Sequence, residues 1–233
     1  MILQACLNGA RAPGAHPALP LTPERLAADA RACVAAGAGE LHLHPRRSDG
    51  QESLDAATIG AAVAAIRRAC PGTAFGVSTG VWIEGDAAAT LAAIEAWELL
   101  PDYASVNLSE EGASAVIARL LARGMGVEAG LAGLEDLPRF QALPPRGLTR
   151  VMLELDAAHA HEAAALLEGL AACACPVLLH GFEESAWPLL RQAAGRRLST
   201  RIGLEDVLTL PDGGAAADNA ALITAAARMM WPG

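Results

Sequence analysis

Aromatic residues make up only 3% of this 233-residue chain, although 53% of it is hydrophobic. A core built from it must therefore consist mainly of Ala, Leu, Val and Ile. No apolar run of about 18 residues is free of charges and breakers, so no membrane-spanning helix is expected. No basic segment precedes the first apolar residues, so no signal peptide is expected. Gly-x-Gly-x-x-Gly and Walker loops are absent, which removes the usual dinucleotide and nucleotide cradles. Positive charge is scarce: the formal net charge is −9. That argues against nucleic acid or an anionic membrane as the main partner, while leaving room for a local basic pocket. The cysteines (Cys6, Cys33, Cys70, Cys173 and Cys175) are odd in number and scattered over apolar segments. They read as reduced thiols of a cytoplasmic protein, with Cys173 and Cys175 lining the core. No shift in composition marks a linker, so residues 1–233 are expected to form a single domain.

What the chain does have is alternation. Residues 2–8 read as a buried strand, followed by a Pro- and Gly-rich loop through Pro20. Thr22, Pro23 and Glu24 then carry helix-start chemistry. The helix is expected to reach Ala36, with a strand over Glu40–Arg46 next. The unit recurs: helix from Ser53 or Asp55 to Cys70, strand 74–78, helix from Asp86 to about Leu100, strand 103–107, helix from Ser109 to Arg123. A strand over 125–128, a weak helix over 134–141, a strand over 150–154 and a helix over 157–172 follow. The last units are strand 176–180, helix 183–194, strand 200–202 and helix 215–230. Strands alternating with helices imply a parallel sheet. About eight such units imply a closed (β/α)8 TIM barrel, with chemistry at the C-terminal ends of the strands. The polar residues at those ends are Asn8, His42, His44, Ser78, Asn107, Glu128, Glu154, His180 and Arg201, with Glu205 and Asp206 just beyond.

Glu40-Leu41-His42-Leu43-His44-Pro45-Arg46 organises the rest. Side chains on a strand alternate faces, so His42 and His44 point the same way. Two imidazoles side by side supply half of a divalent-metal site. The third ligand should be an anion. Glu205 is placed for it, because closure of the barrel sets the last strand beside the first; Glu128 and His180 compete. Asp206 with Arg201 forms a second pair, in which a guanidinium holds a carboxylate ionised and oriented. Such a pair can serve as a general base over a carbon acid. Ser78 can donate to a developing oxyanion. His159 and His161 also stand two apart, but at the start of a helix, where such positions diverge. They read as solvated.

These segments resemble the beta-keto acid cleavage enzymes, a family of zinc-dependent barrels. The likeness rests on "LNGAR…HPALPLTPE", "GAGELHLHPR…DG", "VSTG", "SVNLS" and "RIGLEDVL…N", in that order. The resemblance implies zinc on His42, His44 and Glu205. It implies a catalytic pair of Asp206 and Arg201, with Ser78 in the substrate site. Asn8, Arg11, Thr79, Asn107 and Glu128 are the further substrate-binding positions expected. The reaction it implies converts a β-keto acid and acetyl-CoA into acetoacetate and a new acyl-CoA, by Claisen and retro-Claisen steps. A soluble cytoplasmic homo-oligomer acting on small molecules is expected.

Two departures stand out. The chain is short for the family, with loops trimmed chiefly after the fifth and sixth strands, where they would bear on coenzyme A. A lysine-fermenting member of the family has an acid where this chain has Arg11. The alternatives are a metal-dependent barrel hydrolase, which needs more strand-end histidines than His180, and an inactive metal- or metabolite-binding barrel.

Overall fold

Apolar segments separated by capped helices set the architecture. Thr22 accepts a hydrogen bond from the Arg25 N–H, and Pro23 takes the first helical position of α1 (Pro23–Ala35). Asp55 caps α2 (Ala56–Ala69) through the Thr58 N–H, and Asp86 caps α4 (Ala87–Glu95) through the Ala89 N–H. Asp218 does the same for α9 (Asn219–Met230) through the Ala221 N–H. On α1, Leu26, Ala30 and Cys33 form the buried stripe, at the spacing of one helical face.

The computed structural model describes residues 1–144 and 147–232. The strands are β1 (Leu3–Cys6), β2 (Glu40–Leu43), β3 (Ala74–Ser78), β4 (Tyr103–Asn107), β5 (Gly126–Leu131), β6 (Leu148–Leu155), β7 (Val177–Gly181) and β8 (Thr200–Ile202). The remaining helices are α3 (Val81–Glu84), α5 (Ala113–Ala122), α6 (Leu137–Gln141), α7 (Ala163–Gly169) and α8 (Ala186–Arg196). The sheet is parallel, in the order β7-β6-β5-β4-β3-β2-β1-β8. Closure comes from a parallel bridge between Leu178 and Ser199, and from the Thr200 hydroxyl donating to the Leu179 carbonyl at 2.7 Å. This is the (β/α)8 barrel expected from the alternation. No described helix is long and apolar enough to cross a membrane.

The core is aliphatic, as the composition requires: Leu3, Leu41, Leu43, Val77, Val127, Leu153 and Leu179 are all inaccessible. Each such side chain contributes about 1.5–3 kcal/mol on burial. Phe75 and Tyr103 are the aromatic exceptions on the strands, and Tyr103 also makes a polar contact. Its hydroxyl donates to the Leu41 carbonyl at 2.8 Å, and its ring fills the space that a side chain at Gly76 would need. Trp97 is likewise buried and donates to the Leu54 carbonyl at 2.7 Å.

Several boundaries differ from the expected ones. The helix after β4 starts beyond Gly112, not at Ser109, because Gly112 takes a left-handed backbone (φ 77°) at its entry. The helix expected over 157–172 is a 3-10 turn at Ala160–Glu162 and then α7. The last helix begins at Asn219, since Ala215 bridges back to Thr209. The helix after Asp86 stops at Glu95, and β5 runs on to Leu131. His44 lies one residue beyond β2.

Candidate metal centre and catalytic pocket

The β2 end presents both histidines to one side. Pro45 cannot continue the ladder, and Asn8 takes over its work. The Asn8 amide donates to the His44 carbonyl at 2.8 Å and accepts from the His44 N–H at 2.9 Å. Both ends of Asn8 are thereby used on backbone, and it does not line the pocket. The expected substrate contact is instead a clamp on the His44 peptide.

The Nε2 atoms of His42 and His44 lie 3.1 Å apart, and each is 3.7 Å from Glu205 Oε1. Glu205 follows β8, which pairs with β1 in the register Gln4 with Arg201. Gly203 makes this approach possible, because a Cβ there would collide with the Cys6 carbonyl. One donor atom each from His42, His44 and Glu205 falls within 4.8 Å of the others. Two imidazoles and a carboxylate are a donor set suited to zinc and similar cations. Glu205 Oε2 is buried and has no hydrogen-bond partner among the described residues, so it too is available to a cation. These residues therefore fit a divalent metal. Glu128 and His180, the competing third ligands, lie outside this cluster.

The electrostatics are those of crowded, buried charge. Burial pushes His42 down to about 3, against the opposing pull of Glu205. Burial acts on His44 as well, but Glu205 and Glu52 outweigh it and raise its pKa to about 9. Glu205 is held well below the usual carboxylate range by Arg201 and the two histidines, although burial opposes this.

Arg201 is 3% exposed and collects three acids: Glu205 at 2.6 Å, Glu154 at 3.5 Å and Asp206 at 3.6 Å. The expected pair with Asp206 is present, but Glu205 is the nearer partner. Burial pushes Asp206 above the usual carboxylate range, despite Arg201 and His180. His180 spans two acids, with Nε2 3.3 Å from Glu154 Oε2 and Nδ1 3.5 Å from Asp206 Oδ1. Burial and Arg201 disfavour its charged form, yet Asp206 and Glu154 prevail and raise its pKa.

His42, His44, Glu154, Arg201, Glu205 and Asp206 border one pocket of about 310 Å³ at the C-terminal mouth. Ser78, Asn107 and Arg11 line it as well. Ser78 Oγ accepts the Gly80 N–H at 3.2 Å. The Asn107 amide donates to Glu110 at 3.0 Å. Arg11 does not swing into solvent: its Nε donates to the Leu204 carbonyl, and its Nη2 meets Glu183 at 2.5 Å.

Two expected contacts lie elsewhere. The Thr79 hydroxyl donates to the Ser105 carbonyl at 2.8 Å, which ties β3 to β4. Glu128 is wholly buried inside the barrel, 3.0 Å from both the Gln4 amide and Arg150 Nε. Neither borders the pocket. His159 and His161 are hydrogen-bonded to Asp156 and the Ala158 carbonyl on the surface, in accord with their reading as solvated. Cys173 and Cys175 are free and half-buried against the core.

Ala10, Trp82, Ser105, Glu154, Phe182 and Glu183 also line the pocket and were not assigned a role from the sequence, and neither was Glu52, which contacts His44. Glu154 carried a signal as a polar strand end. Glu52 carried a weaker one, since Asp49-Gly50 marks a tight turn that folds the chain back.

Fold and site together define a class: (β/α)8 barrels whose strand-end side chains can hold a divalent metal. The family model described as beta-keto acid cleavage enzyme matches residues 1–231, and the chain belongs to that family. A 3-keto-5-aminohexanoate cleavage enzyme from Fusobacterium nucleatum is 37% identical over 81 residues, which is 34% of this chain and 30% of that protein. Among solved structures, apo ObcA matches with a TM-score of 0.68 at 17% identity, covering 89% of this chain and 61% of ObcA. The 3-dehydroquinate dehydratase of Aquifex aeolicus VF5 matches with a TM-score of 0.57 at 14% identity, covering 98% of this chain and 97% of the dehydratase. At these identities the two structures bear on the fold alone. The matched regions amount to less than two thirds of ObcA and of the Fusobacterium protein.

Proposed function

We propose that this protein is a zinc-dependent beta-keto acid cleavage enzyme that uses acetyl-CoA as co-substrate. The observation that carries the reading is the convergence of a candidate metal site and a candidate base on one pocket. His42, His44 and Glu205 cluster at the pocket, and Asp206, next in the chain and in contact with Arg201 and His180, borders the same pocket. Zinc on the three ligands would supply Lewis-acid polarisation of the keto acid's carbonyl oxygen.

The protein's own groups do the rest. Asp206 takes the acidic proton beside that carbonyl. Neither of its carboxylate oxygens has a hydrogen-bond partner among the described residues, so both are open to accept a proton. Burial, which raises its pKa, makes it a stronger base than an exposed carboxylate. Arg201 keeps Glu154, Glu205 and Asp206 from repelling one another out of place. Ser78 accepts from Gly80, which leaves its own O–H to donate to a developing oxyanion. The resulting carbanion attacks the thioester carbonyl of acetyl-CoA. Transfer of CoA and carbon–carbon cleavage then release acetoacetate and the new acyl-CoA. A pocket of about 310 Å³ suits a short keto acid and leaves most of coenzyme A outside it.

A hydrolase would need further histidines around the metal. His180 is engaged between Glu154 and Asp206, which disfavours that reading. The test is incubation of the zinc-loaded protein with a panel of β-keto acids and acetyl-CoA, followed by mass spectrometry. New acyl-CoA and acetoacetate are expected. Absence of thioester exchange with every keto acid would leave the inactive-barrel reading standing.

A further inference from the structure

Just after β2 the chain doubles back. Gly50 adopts a left-handed backbone (φ 84°), and Arg46 bridges antiparallel to Glu52. The Ser53 N–H donates to the Pro45 carbonyl at 3.1 Å. This short hairpin lays Glu52 against His44, with Oε1 2.5 Å from Nδ1. A carboxylate at that distance accepts, so Nδ1 carries the hydrogen. Nε2, which faces His42 and Glu205, is thereby left as the ligand atom. His42 has no such partner: its Nδ1 is buried without a hydrogen bond among the described residues.

The other oxygen of Glu52 meets a side chain of the pocket mouth. Oε2 accepts from Trp82 Nε1 at 3.2 Å. Trp82 is 48% exposed, lines the pocket, and lies over Gly80, where any Cβ would run into its ring. Its helix, α3, is fixed from the other side by Glu84, which accepts the Leu54 N–H at 2.7 Å. One carboxylate thus joins a metal-facing imidazole to an aromatic side chain at the rim.

We propose that Glu52 is a positioning residue that fixes His44 as a metal ligand, and that Trp82 acts on the metal site through that same carboxylate. This rests on the reading of His42, His44 and Glu205 as a metal site. Loss of such an outer carboxylate typically costs about 10–100-fold in metal affinity. Loss of the Trp82 N–H frees only one oxygen of Glu52 and should cost less.

The experiment measures zinc affinity by chelator competition in wild type, Glu52→Ala, Glu52→Gln, Trp82→Phe and the Trp82→Phe/Glu52→Ala double variant. Melting curves of the metal-free proteins establish that each one folds. Glu52→Ala is expected to weaken zinc about 10–100-fold, with Glu52→Gln, which keeps an acceptor, in between. Trp82→Phe should weaken zinc on its own and add nothing in the Glu52→Ala background, because its effect runs through Glu52. Unchanged affinity in both Glu52 variants would overturn the proposal. So would a Trp82→Phe effect of equal size in both backgrounds. Should Glu52→Ala fail to fold, Glu52→Gln decides, with Trp82→Phe tested in that background. Wild type that binds no zinc would overturn the metal reading itself, which separates the two failures.

Discussion

Asp206 is the residue on which the proposed chemistry turns. It is wholly buried, borders the pocket, and has its carboxylate oxygens free of hydrogen bonds among the described residues. Asp206→Asn is isosteric and does not touch the three ligand side chains. It should keep metal and fold while turnover falls at least about 100-fold, the usual size of a general-base contribution. Metal analysis and steady-state kinetics on one preparation check this, and near-normal turnover would place the base elsewhere. Arg11 is expected to govern a different property, the preference for the substrate's tail. Its guanidinium is anchored on the Leu204 carbonyl and borders the pocket, so its charge is fixed in place. A bare positive charge about 5 Å from an ammonium would repel it by roughly 3 kcal/mol at an effective dielectric of about 20. Glu183, at 2.5 Å, cancels part of that field. The expected preference for a carboxylate or neutral tail over an amino tail is then about tenfold in kcat/KM. Arg11→Glu should reverse the ranking; an unchanged ranking would remove Arg11 from specificity.

At the level of elements, strands were more legible than helices. The strands over 74–78, 103–107 and 200–202 begin and end where alternation and turn residues put them. Helix ends in Ala-rich stretches were harder, because Ala favours a helix wherever the chain permits one. Gly112, the turn around Thr209–Ala215, and the 3-10 turn at Ala160 decide those boundaries through local backbone geometry that propensity does not carry. The site divides in the same way. His42, His44 and Glu205 were readable because strand phase and a motif order fix them. Asn8 and Thr79 were polar in the right places but satisfy backbone, which only the folded neighbours reveal. Asn219, the last residue of the quoted motifs, shows what such a position does. Its amide donates to the Leu7 carbonyl at 2.8 Å and to Asp29 at 2.7 Å, while its oxygen accepts the Leu204 N–H at 2.6 Å. It thus pins α9 to β1, α1 and the Glu205 segment. Burial raises Asp29 to about 7, with the Asn219 hydrogen bond opposing. Its unfolded value is about 3.9. Between about 4 and 7 the folded state therefore keeps a proton that the unfolded state has lost, so folding becomes less favourable as pH rises through that window. Asp29→Asn has no such proton. Its stability relative to wild type should rise from pH 4 to pH 7 in parallel denaturant titrations. A constant difference across that range would show that Asp29 titrates normally.

For the whole molecule, the seam of the barrel and the metal site are the same place. β8 is three residues long, and its contact with β7 is a single bridge plus the Thr200 hydroxyl. Glu205 and Asp206 hang directly from that strand, whereas His42 and His44 come from β2 on the far side of β1. A cation on His42, His44 and Glu205 would therefore tie β8 to β2 across β1, and would offset the crowding of buried acids around Arg201. Binding to the folded state alone stabilises it by about 2.7 kcal/mol at a hundred times Kd. For a chain of this length each kcal/mol moves the melting temperature by about 2–4 °C. Zinc at that excess should then raise Tm by about 5–10 °C, and a chelator should reverse the shift. His42→Ala removes a ligand without touching β8 and should abolish the zinc response while lowering the metal-free Tm far less than it lowers the zinc-loaded one. A full zinc shift in that variant would mean that the ion binds elsewhere, and that the seam is held by the protein alone.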